Sequence, residues 1–135
     1  MGYYYCMNID YDLLISKAKD AAKASYSPFS KFAVGAAVLM SNGQIYTGCN
    51  IENSSFGMTI CAERCAIFKA VSEGQKEILA VAIYSPNAAD CYPCGACRQV
   101  MYEFQGETEI VVITEHENKP IPRKLSDFLP FGFKI

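Results

Sequence analysis

An excess of positive charge is what this sequence most plainly lacks. Twelve Lys and Arg stand against fourteen Asp and Glu in 135 residues, a formal net charge of −2, with a pI near 5.4. A polyanion-binding protein needs a basic stripe to neutralise phosphates, so nucleic acid is not an expected partner. Apolar residues make up 51% of the chain, yet no run approaches the roughly 20 apolar residues that a membrane-spanning helix needs. The opening stretch, MGYYYCMNIDYD, has no basic region followed by an apolar core and reads as no signal peptide. Position 6 is Cys where the myristoylation pattern takes Ser or Thr. These absences predict a cytoplasmic protein with no membrane partner. Histidine occurs once, as His116 in a polar turn, and is read as solvated, with no chemistry assigned. No repeat or low-complexity segment is present. The length suits one domain over 1–135, with residues 1–8 expected to be a poorly ordered extension.

Cysteine, by contrast, is plentiful, with seven in the chain. In a reducing compartment, clustered thiols serve more often as metal ligands or catalysts than as structural disulfides. Five of them fall into two clusters, CAERC at 61–65 and CYPCGAC at 91–97. Cys6 and Cys49 stand alone and are read as packing or terminal residues.

Local patterns place these clusters on elements. Residues 9–25 read as an amphipathic helix, with Leu14, Ala18, Ala21, Ala22 and Ser25 on one face. Pro28 breaks it. FAVGAAVLM at 32–40 reads as a buried strand, Asn42-Gly43 as a hairpin turn, and 45–49 as the returning strand. CAERCAIFKAVSEG at 61–74 predicts a helix, apolar almost all round and largely buried, stopped by Gly74. Strands follow at 78–84 and 109–114, flanking a helix from Pro93, at its first position, to about Phe104. A turn is expected at 115–120, a further short strand near 120–123, and a short helix at 125–130. The alternation predicts an α/β fold with a central mixed sheet and helices on both faces, its strand–helix–strand pairs parallel.

Cys94 and Cys97 lie three apart at a helix start and share a face. Cys91 precedes Pro93 and need not point the same way. Cys61 begins the other helix, and free N–H groups at both starts favour thiolate over thiol. Three thiolates from two helices suit one Zn²⁺ with an open fourth position, the pattern of a catalytic site. Glu63, in an apolar helix two residues after Cys61, is costly to bury unless it works, and it is placed to move protons at that open position. Three thiolates and one Zn²⁺ sum to −1, so a guanidinium donating to sulfur would restore acidifying power; Arg64, in the more apolar helix, is favoured over Arg98. Two other readings fit the cysteines alone: a C-x-x-C thiol–disulfide oxidoreductase and a closed structural zinc with Cys91 or Cys65 as fourth ligand. Both leave Glu63 idle.

CAERCAIFKAVSEG together with PCGACRQV resembles the zinc-dependent nucleoside deaminases, in which a Glu that is not a ligand acts as general acid and base. With Cys61 in place of the usual His, the chain is similar to the small homotetrameric, all-cysteine cytidine deaminases. YSPFSKFAVGAA (26–37), GCNIEN (48–53) and LSDFLPFGF (125–133) resemble that family's other motifs, in the same order. The resemblance implies a three-layer α/β/α sandwich on about five strands, with one zinc per chain held by Cys61, Cys94 and Cys97. It implies hydrolysis of free cytidine and deoxycytidine in pyrimidine salvage, Glu63 carrying a proton from water to ring N3 and then to the leaving amine. Phe32 would wall the base, Asn50 and Glu52 would meet the ribose hydroxyls, and the Ala62 N–H the base carbonyl. Phe133 would reach a neighbouring subunit's pocket in a homotetramer with shared active sites. Departures are Phe56 for a common Tyr, Cys65 for Thr or Ser, and Tyr92 for Ser. A related cytosine nucleoside, such as an aminoacyl-nucleoside antibiotic, remains an alternative substrate. A polynucleotide deaminase is disfavoured by the acidic pI.

Overall fold

The computed structural model describes residues 8–135. Cys6 and nearly all of the extension expected over 1–8 therefore lie outside the described residues. Helix α1, Tyr11–Ala22, starts where the Asp10 carboxylate accepts from the Leu13 N–H at 3.0 Å. It is shorter than the 9–25 expected, because Lys23 closes it and the Ser25 hydroxyl turns away to donate to Asn50. Leu14, Ile15, Ala18 and Ala22 form its buried stripe.

Strands β1 (Gly35–Met40) and β2 (Ile45–Cys49) form the expected hairpin, with Gly43 at φ +86° in its turn. The strand expected from residue 32 begins only at Gly35. Before that, side chains satisfy the N–H groups: the Ala33 N–H donates to Asn87 Oδ1 at 3.0 Å and the Val34 N–H to Asn50 Oδ1 at 2.9 Å. Helix α2, Ala62–Ser72, is capped by Cys61, and Gly74 follows it at φ +97°. The all-round burial expected of α2 is not found. Ala62, Glu63, Ala66, Ile67 and Ala70 are buried, whereas Phe68 and Lys69 face outward.

Strand β3 (Ile78–Tyr84), helix α3 (Gly95–Glu103) and strand β4 (Val111–His116) come next. Pro93 is not the first residue of α3, as expected, because Cys94 caps the helix and Gly95 begins it. Glu117 and Asn118, at φ 52° and 64°, make a tight turn into β5 (Lys119–Lys124). The turn expected at 115–120 is thus only two residues long. Helix α4, Leu125–Phe128, ends the described elements.

The strands form one sheet in the order β2-β1-β3-β4-β5. Among the described strands only β3 and β4 pair in parallel. The β2–α2–β3 crossover does not make parallel neighbours, because β1 lies between the two strands and pairs antiparallel with both. On one face Ala37, Ala80 and Ala82 pack against Leu14, Ile15 and Ala18 of α1. On the other, Ala36, Val38, Val81 and Ile83 meet Ala66, Ile67 and Ala70 of α2 and Cys97 and Met101 of α3. The architecture is α/β/α, built by period-two alternation along each strand.

Two glycines set the helices against the sheet. A Cβ on Gly35 would lie 2.0 Å from the Ala18 carbonyl oxygen of α1. A Cβ on Gly48 would lie 2.6 Å from the Ala66 nitrogen and 2.7 Å from the Ala62 oxygen of α2. Backbone therefore rests on backbone at both contacts. The second contact fixes the height of the first turn of α2.

Candidate active site

Cys61 and Cys94 occupy the same structural position, the N-cap of α2 and of α3. Cys97 lies one turn into α3 and is fully buried. The three sulfurs all fall within 4.8 Å of one another, with Cys61 Sγ and Cys94 Sγ 3.7 Å apart. Zinc–thiolate bonds of about 2.3 Å at tetrahedral angles set sulfur–sulfur edges of about 3.8 Å, so this donor set fits zinc by spacing and by chemistry. Among the described residues Cys65 and Cys91 stand outside the cluster. Every described cysteine is a free thiol.

Arg64, at the third position of α2, donates from Nη2 to Cys61 Sγ at 3.3 Å. Arg98 turns elsewhere, to the carbonyls of Pro93 at 2.7 Å and Phe128 at 2.9 Å. The hydrogen bond from Cys97 pulls the Cys61 thiol down to about 5, against burial and with help from the Arg64 guanidinium. The same bond raises Cys97, since a thiolate on Cys61 keeps the proton on its partner. Burial pushes Cys91 up to about 11, which makes it an unreactive thiol.

Glu63 is 4% exposed. Burial pushes its carboxyl up to about 7, and the negative charge on Cys61 adds to the rise. At neutral pH such a group can both give and take a proton. It faces a cavity of about 220 Å³ whose wall includes Phe32, Asn50, Cys61, Ala62, Cys91 and Tyr92. A pocket containing thiols, an amphoteric carboxyl and an aromatic wall suits a flat, polar-edged ligand.

Residues 9–114 match the model of the cytidine and deoxycytidylate deaminase zinc-binding region.

The chain belongs to this family of deaminases.

A cytidine deaminase from Halalkalibacterium halodurans is 50% identical over 125 residues, 93% of this chain and 95% of that one. The crystal structure of the Mycobacterium tuberculosis cytidine deaminase superposes with a TM-score of 0.82 at 39% identity, covering 95% of this chain and 100% of the other. The Burkholderia pseudomallei enzyme gives 0.84 at 37%, covering 93% and 100%. The chain is thus an enzyme of the zinc hydrolase class with the deaminase fold, and zinc is its cofactor.

Within this deaminase frame, the residues expected at the substrate are differently placed. Phe32, Asn50 and Ala62 line the cavity, whereas Glu52 and Phe133 are not in its wall. Asn50 is already heavily engaged. Its Oδ1 accepts from the Ser25 hydroxyl and the Val34 N–H, and its Nδ2 donates to the Phe32 carbonyl at 2.8 Å. One amide hydrogen remains. The Glu52 carboxylate accepts from the Ser30 hydroxyl and from the N–H groups of Phe29 at 2.9 Å and Ser30 at 3.2 Å. The Ser30 hydroxyl, first of these, holds it below the usual carboxylate range. Both residues brace the 26–34 loop that carries Phe32. Phe133 is exposed, and its carbonyl accepts from Gln99. Sequence reasoning missed Asn87, which pins Ala33, and it gave Tyr92 no place in the pocket. Their partners lie 54 and 31 residues away along the chain, at Ala33 and at Arg123, and no local pattern signals either contact.

Proposed function

We propose that this chain hydrolyses free cytidine and deoxycytidine to uridine and deoxyuridine, releasing ammonia. One observation carries the reading: a buried carboxyl poised near neutrality beside three convergent thiols, at a cavity of nucleoside-base size. Cys61, Cys94 and Cys97 would hold zinc, which when bound supplies the Lewis acidity that makes water acidic enough to attack at neutral pH. Glu63 takes the proton of the attacking water and passes it to ring N3, which makes C4 electrophilic. Oxygen bonds to C4, Glu63 takes the proton left on that oxygen and delivers it to the exocyclic amine, and the C4–N bond breaks as the C4 carbonyl forms. The balance is cytidine and water in, uridine and ammonia out. A carboxyl pushed up to about 7 serves both directions of this transfer. Arg64 withdraws charge from Cys61, and the buried Ala62 N–H, at the first position of α2, meets the base carbonyl.

Phe32 walls the base. The free amide hydrogen of Asn50 and the open carboxylate lone pair of Glu52 address the ribose hydroxyls. Phe133, exposed beside Phe131 and Ile135 in the tail, reaches the pocket of a second copy in a homotetramer. Three thiols that must stay reduced suit the cytoplasm, and the reaction suits pyrimidine salvage.

The test is metal analysis of the purified protein, followed by the ultraviolet loss of cytidine on mixing. One zinc per chain and turnover are expected. Zinc-loaded protein inert to every cytosine nucleoside overturns the reading, and so does zinc-free protein with a reversible Cys94–Cys97 disulfide.

A further inference from the structure

Tyr92 lines the cavity but has no part in the reaction described above. The residue is 50% exposed, and what its ring rests on is well defined. The Phe128 ring lies 5.5 Å away, centroid to centroid and tilted by 51°. The Arg123 guanidinium stands 5.3 Å from the Tyr92 centroid. Arg123 is itself held, Nη1 donating to Thr114 Oγ1 at 3.1 Å and to Asp90 Oδ1 at 3.5 Å. Thr114 is fully buried in β4 and donates its hydroxyl to Asp90 at 2.7 Å. His116 Nδ1 completes the brace on Asp90 Oδ2 at 2.9 Å. An exposed tyrosine normally exchanges rotamers within nanoseconds. One backed by a cation and a second ring is a fixed surface. Pro93, next in the chain, restricts the backbone that carries it. Cys94, two residues on, lines the same cavity, which sets Tyr92 beside the thiol end, where C4 of the base sits under the deaminase reading.

We propose that Tyr92 is a specificity-determining residue, its clamped ring closing the thiol end of the cavity against cytosine nucleosides enlarged on the C4 edge of the base, at N4 or C5. The inference rests on the deaminase reading. Arg123 and Asp90 act through Tyr92 as positioning residues.

The probes are cytidine, N4-methylcytidine (hydrolysed to uridine and methylamine) and 5-methylcytidine (hydrolysed to 5-methyluridine and ammonia). The zinc-loaded wild type is compared with Tyr92→Ser, Tyr92→Ala, Tyr92→Phe and Arg123→Met. Relieving a methyl-sized clash changes discrimination by about ten-fold or more. Tyr92→Ser and Tyr92→Ala are expected to raise kcat/KM for at least one methylated nucleoside relative to cytidine by that factor. Tyr92→Phe keeps the wild-type ratio, because the ring and its packing remain. Arg123→Met moves the ratio part of the way, through KM more than kcat and at unchanged zinc content, which a general loss of stability would not produce. Ratios that stay at the wild-type value for both methylated nucleosides in the folded small-residue variants overturn the proposal. A wild type active on cytidine with such flat ratios removes Tyr92 alone, whereas a wild type inert to all three probes removes the deaminase reading with it.

Discussion

Glu63 and the thiols around it make separable demands on single side chains. Glu63→Gln keeps the size and loses the proton, so zinc content is expected to hold while kcat for cytidine falls by about 10²–10⁴; a variant near wild-type turnover would remove the proton shuttle. The cysteines sort by position. Cys94 caps α3 inside the three-sulfur cluster, whereas Cys65 and Cys91 stand outside it. Metal analysis of Cys94→Ser should show zinc lost at micromolar chelator concentrations, and Cys65→Thr and Cys91→Ser should retain it. At this scale much was legible in the sequence, because a C-x-x-C spacing and a carboxylate in an apolar helix are local signals. The bracing of Asn50 and Glu52 was not legible, since Ser25, Ser30 and Val34 meet them only once the loop has folded back.

Elements were legible wherever one face is apolar and turn residues mark the ends. The β1–β2 hairpin follows from Asn42-Gly43, and the end of α2 from Gly74. The starts of the helices were harder to read. Pro93 carries the ordinary mark of a first helical residue, yet its carbonyl is needed by Arg98 Nε at 2.7 Å and the helix begins two residues later. The place of β3 beside β1 depends on which neighbour the whole sheet offers, and local pattern does not encode that choice. The two close glycines give this scale its test. Gly48→Ala presses a methyl into the backbone of α2, and Gly35→Ala presses one into α1 on the opposite face of the sheet. Each is expected to lower stability by about 1–3 kcal/mol, read as Tm. Only Gly48→Ala should also weaken zinc retention, because α2 carries Cys61 and Glu63; equal zinc retention in the two variants would contradict that coupling.

For the whole molecule, two charged contacts, Asp90 with β4 and β5 and Lys19 of α1 with Glu115 of β4, set the pH window of stability. Asp90 is held below its ordinary value, first by the Thr114 hydroxyl and then by Arg123 and His116. A folded pKa below the unfolded one contributes stability above about pH 4, which is lost as pH falls through the folded value. Lys19 is raised by its hydrogen bond to Glu115, the two charges 2.6 Å apart. Its contribution is complete below the unfolded pKa of about 10.4 and is lost as pH rises through the folded one. Tm measured from pH 3 to pH 11 should therefore droop at both ends. Asp90→Asn is expected to flatten the acid limb only, and Lys19→Met the alkaline limb only. Light scattering addresses the assembly: four chains per particle are expected, and a monomer with full turnover would exclude a shared site. No helix of the described residues is long and apolar enough to cross a membrane.

Cys61 and Cys94 begin α2 and α3 without making a side-chain hydrogen bond to either helix. Ser, Thr, Asp or Asn in those places would stabilise each helix by about 0.5–2 kcal/mol. The chain therefore leaves two first turns poorly capped, and those same turns hold the site. In the metal-free protein their amide protons should exchange with deuterium ahead of the rest of both helices, making these turns the places where the native state opens first. Adding zinc should slow that exchange and leave α1, whose first turn is capped by Asp10, unchanged.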